Sequence, residues 1–248
     1  MFSEYRAIFK KRGHLYHQAM IQYPNARAEE FLHIARMADM KDGDIVCDIP
    51  SGGGYLRHFV DRATALCHIE TSEVFAALCR ANGALHVLLS TLEDIPVETG
   101  AVDNIISLAA LHHVDEKNRF FSEAYRMLRK GGTLNIADVQ SGSAVSEFLD
   151  GFVNEHNTMG HKGTYISAET QTEIERWGFT VRESSLIPFH WEFDSPQAMG
   201  RFSQLLFGID KADSAQVVEG IRKHLGYDLD SNACRMNWEL LFLNAKTP

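Results

Sequence analysis

The sequence predicts an α/β fold: a doubly wound, mostly parallel sheet with helices on both faces. Short apolar runs alternate with amphipathic stretches of helical spacing from Ile45 to Val139, the rhythm of strand–helix crossover units. The first of those runs passes directly into a glycine-rich turn, VCDIPSGGG, where such a sheet opens toward a ligand. The 248 residues, 45% hydrophobic and 23% charged, make one generous globular domain carrying an elaborated cap.

The elements follow in order. Residues 1–40 read as a helical cap, because Phe31, Leu32, Ile34, Ala35 and Ala38 recur at helical spacing. KDGD at 41–44 is a turn and IVCDI the first strand, after which SGGGYLRHFVDR opens a helix. ALCHIE (65–70) is the second strand, and SEVFAALCRANG runs as a helix from Ser72 to a glycine stop at Gly83. HVLLST (86–91) and NIISLAAL (104–111) are the third and fourth strands. EKNRFFSEAYRMLRKGG is an amphipathic helix ending in a basic turn, and TLNIADV (133–139) is the fifth strand.

Beyond Val139 the rhythm changes. Residues 140–166 are irregular and rich in His and Gly; AETQTEIERWG is a helix and FTVRESSL a strand. PQAMGRFSQLLFG and SAQVVEGIRKHLG each read as a helix before a last apolar run, NWELLFLNAK. The expected organisation is a single domain: an N-terminal cap (1–40), a core (41–187), a helical cap insertion (188–236) and a terminal strand (237–248). Insertions of that length in a compact domain are usually functional lids.

Composition narrows the function. Lys+Arg 24 against Asp+Glu 33 gives a formal net charge of −9, which argues against a protein built to grip nucleic acid or an anionic membrane. The N-terminus lacks the pattern of a signal peptide, and no apolar run approaches the ~20 residues of a membrane helix. Cys47, Cys67, Cys79 and Cys234 are scattered without a CxxC pair and read as reduced thiols of a cytoplasmic protein.

The sharpest local signal is the strand running into Gly52, Gly53 and Gly54. Glycines there let backbone approach a ligand closely. Twenty-two residues past Asp48, at the tip of the second strand, Glu70 can accept both hydroxyls of a ribose. A sharp strand-to-helix turn with no ligand is the bland alternative, and Glu70 in register tells against it. A nicotinamide dinucleotide fits poorly, since Arg57 stands at the third glycine position and Asp48 brings a carboxylate into the loop. An acid aimed at the ligand suits one with a cationic portion, such as an ammonium or sulfonium, and so points to S-adenosylmethionine.

VCDIPSGGG, HIETSE, STLEDIPVETGAVDNIIS, LAALHHVDE, MLRKGGTLNIADV and ERWGFTV, in that order, carry a resemblance. The chain resembles the class I S-adenosylmethionine-dependent methyltransferases, in the small-molecule, ubiquinone-biosynthesis-like branch (methyltransferase type 11). The resemblance covers residues 45–139 well and 168–187 loosely. It implies the Rossmann-like methyltransferase fold with a seven-stranded sheet in the order 3-2-1-4-5-7-6. It implies S-adenosylmethionine as cofactor, S-adenosylhomocysteine as product, and cofactor contacts from Asp48, Pro50, Ser51, Gly52, Gly54, Glu70, Thr71, Thr91, Leu92 and Leu108. Two positions depart from the family: Pro50 replaces its first glycine and keeps the carbonyl that receives an ammonium, while Thr91 replaces the aspartate that commonly holds adenine.

Methyl transfer from a sulfonium is an in-line displacement, and a hydroxyl acceptor must also lose its proton. Histidine suits that task near neutral pH. The family's topology puts His112 and His113 at the carboxyl edge of the fourth strand, and His156 and His161 follow the fifth. His112 and His156 are the candidate general bases; a structural hydrogen bond is the alternative for His112. Phe152, His161, His190 and Trp191 are the candidate acceptor contacts, whereas Phe202, Leu205 and Leu206 read as core. A metal at His156 and His161 is not expected, because the spacing lacks further ligands and the strand tips leave only Asp138. The expected function is O-methylation of a small, largely apolar metabolite. C- or N-methylation, methylation of an acyl group on a carrier protein, and a non-catalytic cofactor-binding protein are the alternatives. KKR at 10–12 reads as a solvated face that an acidic carrier protein would suit.

Overall fold

The computed structural model describes residues 3–60, 65–231 and 233–248. Eight strands form one sheet: β1 (Ile45–Asp48), β2 (Ala65–Glu70), β3 (His86–Leu89), β4 (Val102–Leu108), β5 (Leu128–Asp138), β6 (Thr180–Phe193), β7 (Tyr227–Leu229) and β8 (Cys234–Lys246). The main path runs β3-β2-β1-β4-β5-β8-β6, with short β7 paired to β8 off that path. With β7 left out, β8 is the seventh strand in chain order and the path reads 3-2-1-4-5-7-6, as expected, enlarged by one three-residue strand. β1 to β5 pair in parallel, and β8 enters antiparallel between β5 and β6.

The helices are α1 (Ser3–Gln22), α2 (Ala28–Ala38), α3 (Glu73–Ala81), α4 (Asn118–Met127), α5 (Ala144–Phe148), α6 (Ala168–Arg176), α7 (Pro196–Phe207) and α8 (Ser214–His224). Their ends obey local chemistry: Ser72, Ser143, Ser167, Ser195 and Asp213 each accept a hydrogen bond from the first turn of the helix they precede. One core lies under α1, α2 and the α7–α8 cap, the other under α4 and α6. The carboxyl edges of β1, β2, β4 and β5 lie in line, and the cap closes over them.

Three elements differ from expectation. Past the glycines only a single turn of 3-10 helix forms, Tyr55–His58, and the last two residues of the expected helix lie outside the described residues. β5 starts at Leu128, so the basic turn belongs to a strand, with an irregular register between Val102 and Asn104. β6 runs for 14 residues, past FTVRESSL and into the expected cap insertion as far as Phe193, because it pairs with β8 from Thr180↔Lys246 to Phe193↔Cys234. A strand alternates its faces. Phe189, Trp191 and Phe193 therefore point inward and are buried, whereas His190 lies on the opposite face.

Candidate active site

Two adjoining cavities open at the carboxyl edge of the sheet, and Phe9, Tyr16, Arg27, Ala109 and His113 line both.

The first is built around the glycine loop. Gly52, Gly53 and Gly54 have φ of 56°, 102° and 81°, three consecutive left-handed residues that only glycine adopts readily. The loop turns back at once: the Gly54 N–H donates to the Ser51 carbonyl at 3.0 Å, and the Ser51 N–H reaches Ile69 on β2. The walls include Asp48, Pro50, Ser51, Gly52 and Leu108 from the sheet edge, with Phe31, Tyr55 and Phe75 around them. Asp48 is buried and held at 3.2 Å by His68 Nδ1; desolvation raises its pKa and the His68 contact opposes that shift.

Glu70 sits immediately behind the loop rather than on the cavity wall. Its carboxylate accepts from the Gly52 N–H at 2.6 Å and from the Thr71 and Ser72 N–H groups at 2.9 and 3.2 Å. Burial pushes its pKa up to about 7 despite those three donors. Beside it the Thr71 hydroxyl is buried without a hydrogen-bond partner. Of the other expected cofactor contacts, Thr91 is half-buried past the tip of β3, and Leu92 is packed in the core.

The second cavity has a volume of about 80 Å³ and is lined mainly by rings and aliphatic chains, among them Trp191, Phe207, Trp238 and Leu240. Trp191 stacks on Trp238 with centroids 4.2 Å apart. The polar groups are few and fixed. Arg27 is buried with its guanidinium on Glu30, and it also donates to the Tyr16 hydroxyl at 2.6 Å. Trp191 Nε1 donates to Glu30 at 2.8 Å, which completes a chain from α1 through α2 to β6. Burial lowers the Arg27 pKa, but the Glu30 pair outweighs it and the net shift is upward. Sequence reading missed this network, because Arg27 and Glu30 look like a solvated pair until Trp191 covers them.

Arg12 and three histidines supply the remaining polarity. β4 and β5 pair as far as Leu108↔Ala137, so Asp138 emerges beside the turn that follows β4. One Asp138 oxygen accepts from the Ala110, Leu111 and His112 N–H groups; the other accepts from His112 Nδ1 at 2.6 Å and from the Val139 N–H at 2.7 Å. Only Nδ1–H can donate to a carboxylate, so Nε2 carries the lone pair of neutral His112. The turn is entered through Ala109 at φ 49°, a left-handed non-glycine residue on the wall shared by the two cavities. Across the cavity His161 Nδ1 faces Asp150 at 3.4 Å.

His161 and Trp191 thus meet His112 in one cavity, but three expected residues do not. After α5 the chain makes one turn of π-helix, Leu149–Val153, which turns Leu149 inward and Phe152 outward. His156 stacks on Phe152 at 4.3 Å and its Nδ1 lies 2.8 Å from the Phe152 carbonyl. Both face an outer groove with Gly220 and His224, away from His112. His190 is removed by strand alternation, and its backbone N–H donates to Glu29. Asp138 is the polar residue the sequence could have revealed, since an acid one position past a β5–β4 register pair must lie beside the β4 tip.

Residues 47–136 match the family described as a methyltransferase domain. Solved structures align over nearly the whole chain. A Haloferax volcanii methyltransferase in complex with the Trm112 methyltransferase activator is 20% identical, covering 98% of this chain and 97% of that one with a TM-score of 0.65. An S-adenosylmethionine-dependent methyltransferase of Thermotoga maritima is 17% identical, covering 98% and 99% with a TM-score of 0.64. Phosphoethanolamine N-methyltransferase 2 of Haemonchus contortus, solved with phosphomonomethylethanolamine and S-adenosylhomocysteine, is 17% identical, covering 89% of this chain and 52% of that one with a TM-score of 0.57. At such identities the likeness speaks for the fold. The chain thus shares the fold of these solved methyltransferases, and a methyltransferase domain is matched in its residues 47–136. Among the described residues no helix is long and apolar enough to cross a membrane.

Proposed function

We propose that the protein transfers a methyl group from S-adenosylmethionine to an oxygen of a small, largely apolar metabolite, releasing S-adenosylhomocysteine. The observation that carries this reading is the wall shared by the two cavities. One cavity has a glycine cradle and a carboxylate, the other aromatic sides and an oriented imidazole, and Ala109 and His113 border both.

The residues of the first cavity fit the cofactor. Asp48 offers negative charge to an ammonium or sulfonium and Arg27 positive charge to a carboxylate, the pairing an amino-acid zwitterion needs. Glu70 holds the ribose hydroxyls, exchanging its bond to the Gly52 N–H for them, and the unpartnered Thr71 hydroxyl gains a partner in the same rearrangement. Pro50, Ser51, Gly54 and Leu108 shape the cradle around the methionine end, and Thr91 and Leu92 border the adenine. When bound, S-adenosylmethionine supplies an electrophilic methyl on a positively charged sulfur.

The second cavity orients the acceptor. Trp191, Phe207 and Trp238 take its apolar body and exclude water, which strengthens every polar contact inside. His112 accepts the hydroxyl proton at Nε2, and Asp138 holds the tautomer and stabilises the imidazolium. The supporting experiment incubates the protein with S-adenosylmethionine labelled in its methyl group and a panel of phenols, alcohols and amines of matched apolar body. A labelled methyl ether, formed with equimolar S-adenosylhomocysteine, is expected; label recovered on nitrogen or carbon instead overturns transfer to oxygen.

A further inference from the structure

We propose that His112, His113 and His161 form a binding site for a divalent transition-metal ion of the zinc type. One nitrogen from each ring lies within 4.8 Å of the other two. Ring centroids are 4.1 Å apart for His112–His113, 5.8 Å for His112–His161 and 5.5 Å for His113–His161. His156 and His161 lack further ligands in the sequence, but the fold brings the pair at the β4 tip, His112 and His113, to His161 in place of His156.

Two features point to a ligand rather than to packing. His112 and His161 each direct Nδ1 at a carboxylate, Asp138 at 2.6 Å and Asp150 at 3.4 Å. Asp150 is itself fixed by the Tyr165 hydroxyl at 2.5 Å and the Gly163 N–H at 3.0 Å. A carboxylate behind an imidazole is the arrangement that orients metal-ligating histidines. With both Nδ1 atoms committed to carboxylates, Nε2 is the nitrogen each of these rings has left to offer an ion. Bonds of about 2.0–2.1 Å bring tetrahedral ligand pairs to ~3.4 Å, a closure within reach of ring rotation.

The surroundings permit a dication. Arg12 from α1 lines the cavity and Lys117 lies below the cluster, with the Lys117 ammonium held by the Val114 and Thr164 carbonyls at 2.7 and 2.5 Å. Asp138 and Asp150 balance those two charges. The cluster opens on the aromatic cavity, so a fourth position stays available for water or an acceptor oxygen, as in three-histidine zinc sites. An ion takes the same Nε2 lone pair that a proton acceptor uses, so metal-bound His112 and base His112 are alternative states of one residue. The metal site does not rest on the methyl-transfer reading.

The test uses the whole chain, stripped with chelator and free of S-adenosylmethionine and acceptor. Equilibrium dialysis against Zn²⁺ should give one bound ion per chain, and Co²⁺ should give the visible bands of a four-coordinate nitrogen site. His161→Ala and His113→Ala should each weaken Zn²⁺ binding at least tenfold and abolish the Co²⁺ bands. Asp150→Asn should weaken it by about 10–100-fold while the bands persist. Circular dichroism and thermal midpoints of the metal-free variants confirm that they are folded. Less than one ion per chain, or binding that survives His161→Ala and His113→Ala unchanged, overturns the site.

Discussion

His112 Nδ1 lies 2.6 Å from Asp138 Oδ1, and the contact joins the tip of β4 to the tip of β5 at the boundary of two cavities. Asp138 holds the imidazole and, through three successive backbone N–H groups, the turn that carries it. The two tasks separate by mutation. His112→Asn should lower kcat by about 10²–10⁴-fold while the dissociation constant for S-adenosylmethionine stays roughly unchanged. Asp138→Ala should in addition destabilise the fold by about 3–5 kcal/mol, since it leaves buried donors unpaired. Steady-state kinetics and urea unfolding distinguish the two. Equal loss of stability in both variants would make His112 a structural residue.

Glu70 sets a pH dependence. Its folded-state pKa of about 7 lies above the ordinary 4.5, so the cofactor-free fold prefers the protonated acid. That contribution to stability is complete below pH 4.5 and is lost as pH rises to about 7. Ribose hydroxyls donate to the ionised carboxylate, so cofactor affinity should rise across the same window. Thermal midpoints and calorimetric titrations between pH 5 and 8 measure both slopes, and Glu70→Gln should flatten them. An affinity that is constant with pH would remove Glu70 from the ribose site.

The Arg27–Glu30 pair is buried beneath Trp191, so removing one partner strands the other. Glu30→Ala should cost about 3–5 kcal/mol and alter Trp191 fluorescence, because its Nε1 partner is lost as well. Chemical denaturation followed by fluorescence reads both effects. A loss below ~1 kcal/mol would mean that Arg27 finds water in place of Glu30.

In the glycine loop, strain and space separate. A Cβ at Gly54 meets nothing closer than Cys79 at 3.4 Å, so Gly54→Ala should cost only the left-handed penalty, about 1–2 kcal/mol. At Gly53 a Cβ would lie 2.8 Å from the Tyr55 ring, which hydrogen-bonds His17 through its hydroxyl. Gly53→Ala should therefore cost more than Gly54→Ala and displace Tyr55. Paired unfolding curves check the order.

Much of this was legible in the sequence, and the reasons are specific. The β1–Gly52–Glu70 register could be read because each strand is a short apolar run bounded by turn residues. The cap helices could be read from their periodicity and capping residues. The extension of β6 could not, since FHWEF becomes strand only through pairing with β8 some fifty residues later. His156 looked equivalent to His161 because both follow β5 at short range, and only the π-turn at Leu149–Val153 sends them to opposite sides. The Tyr16–Arg27–Glu30–Trp191 chain joins three distant segments, which no local pattern encodes.

The most direct test of the central claim is a crystal structure with S-adenosylhomocysteine. The nucleoside is expected in the glycine-loop cavity, its ribose on Glu70, its amino-acid end between Asp48 and Arg27, and its sulfur facing Ala109 and the aromatic cavity that holds His112. A sulfur directed away from that cavity, or a nucleoside bound elsewhere with the Gly52–Glu70 contact intact, would contradict it.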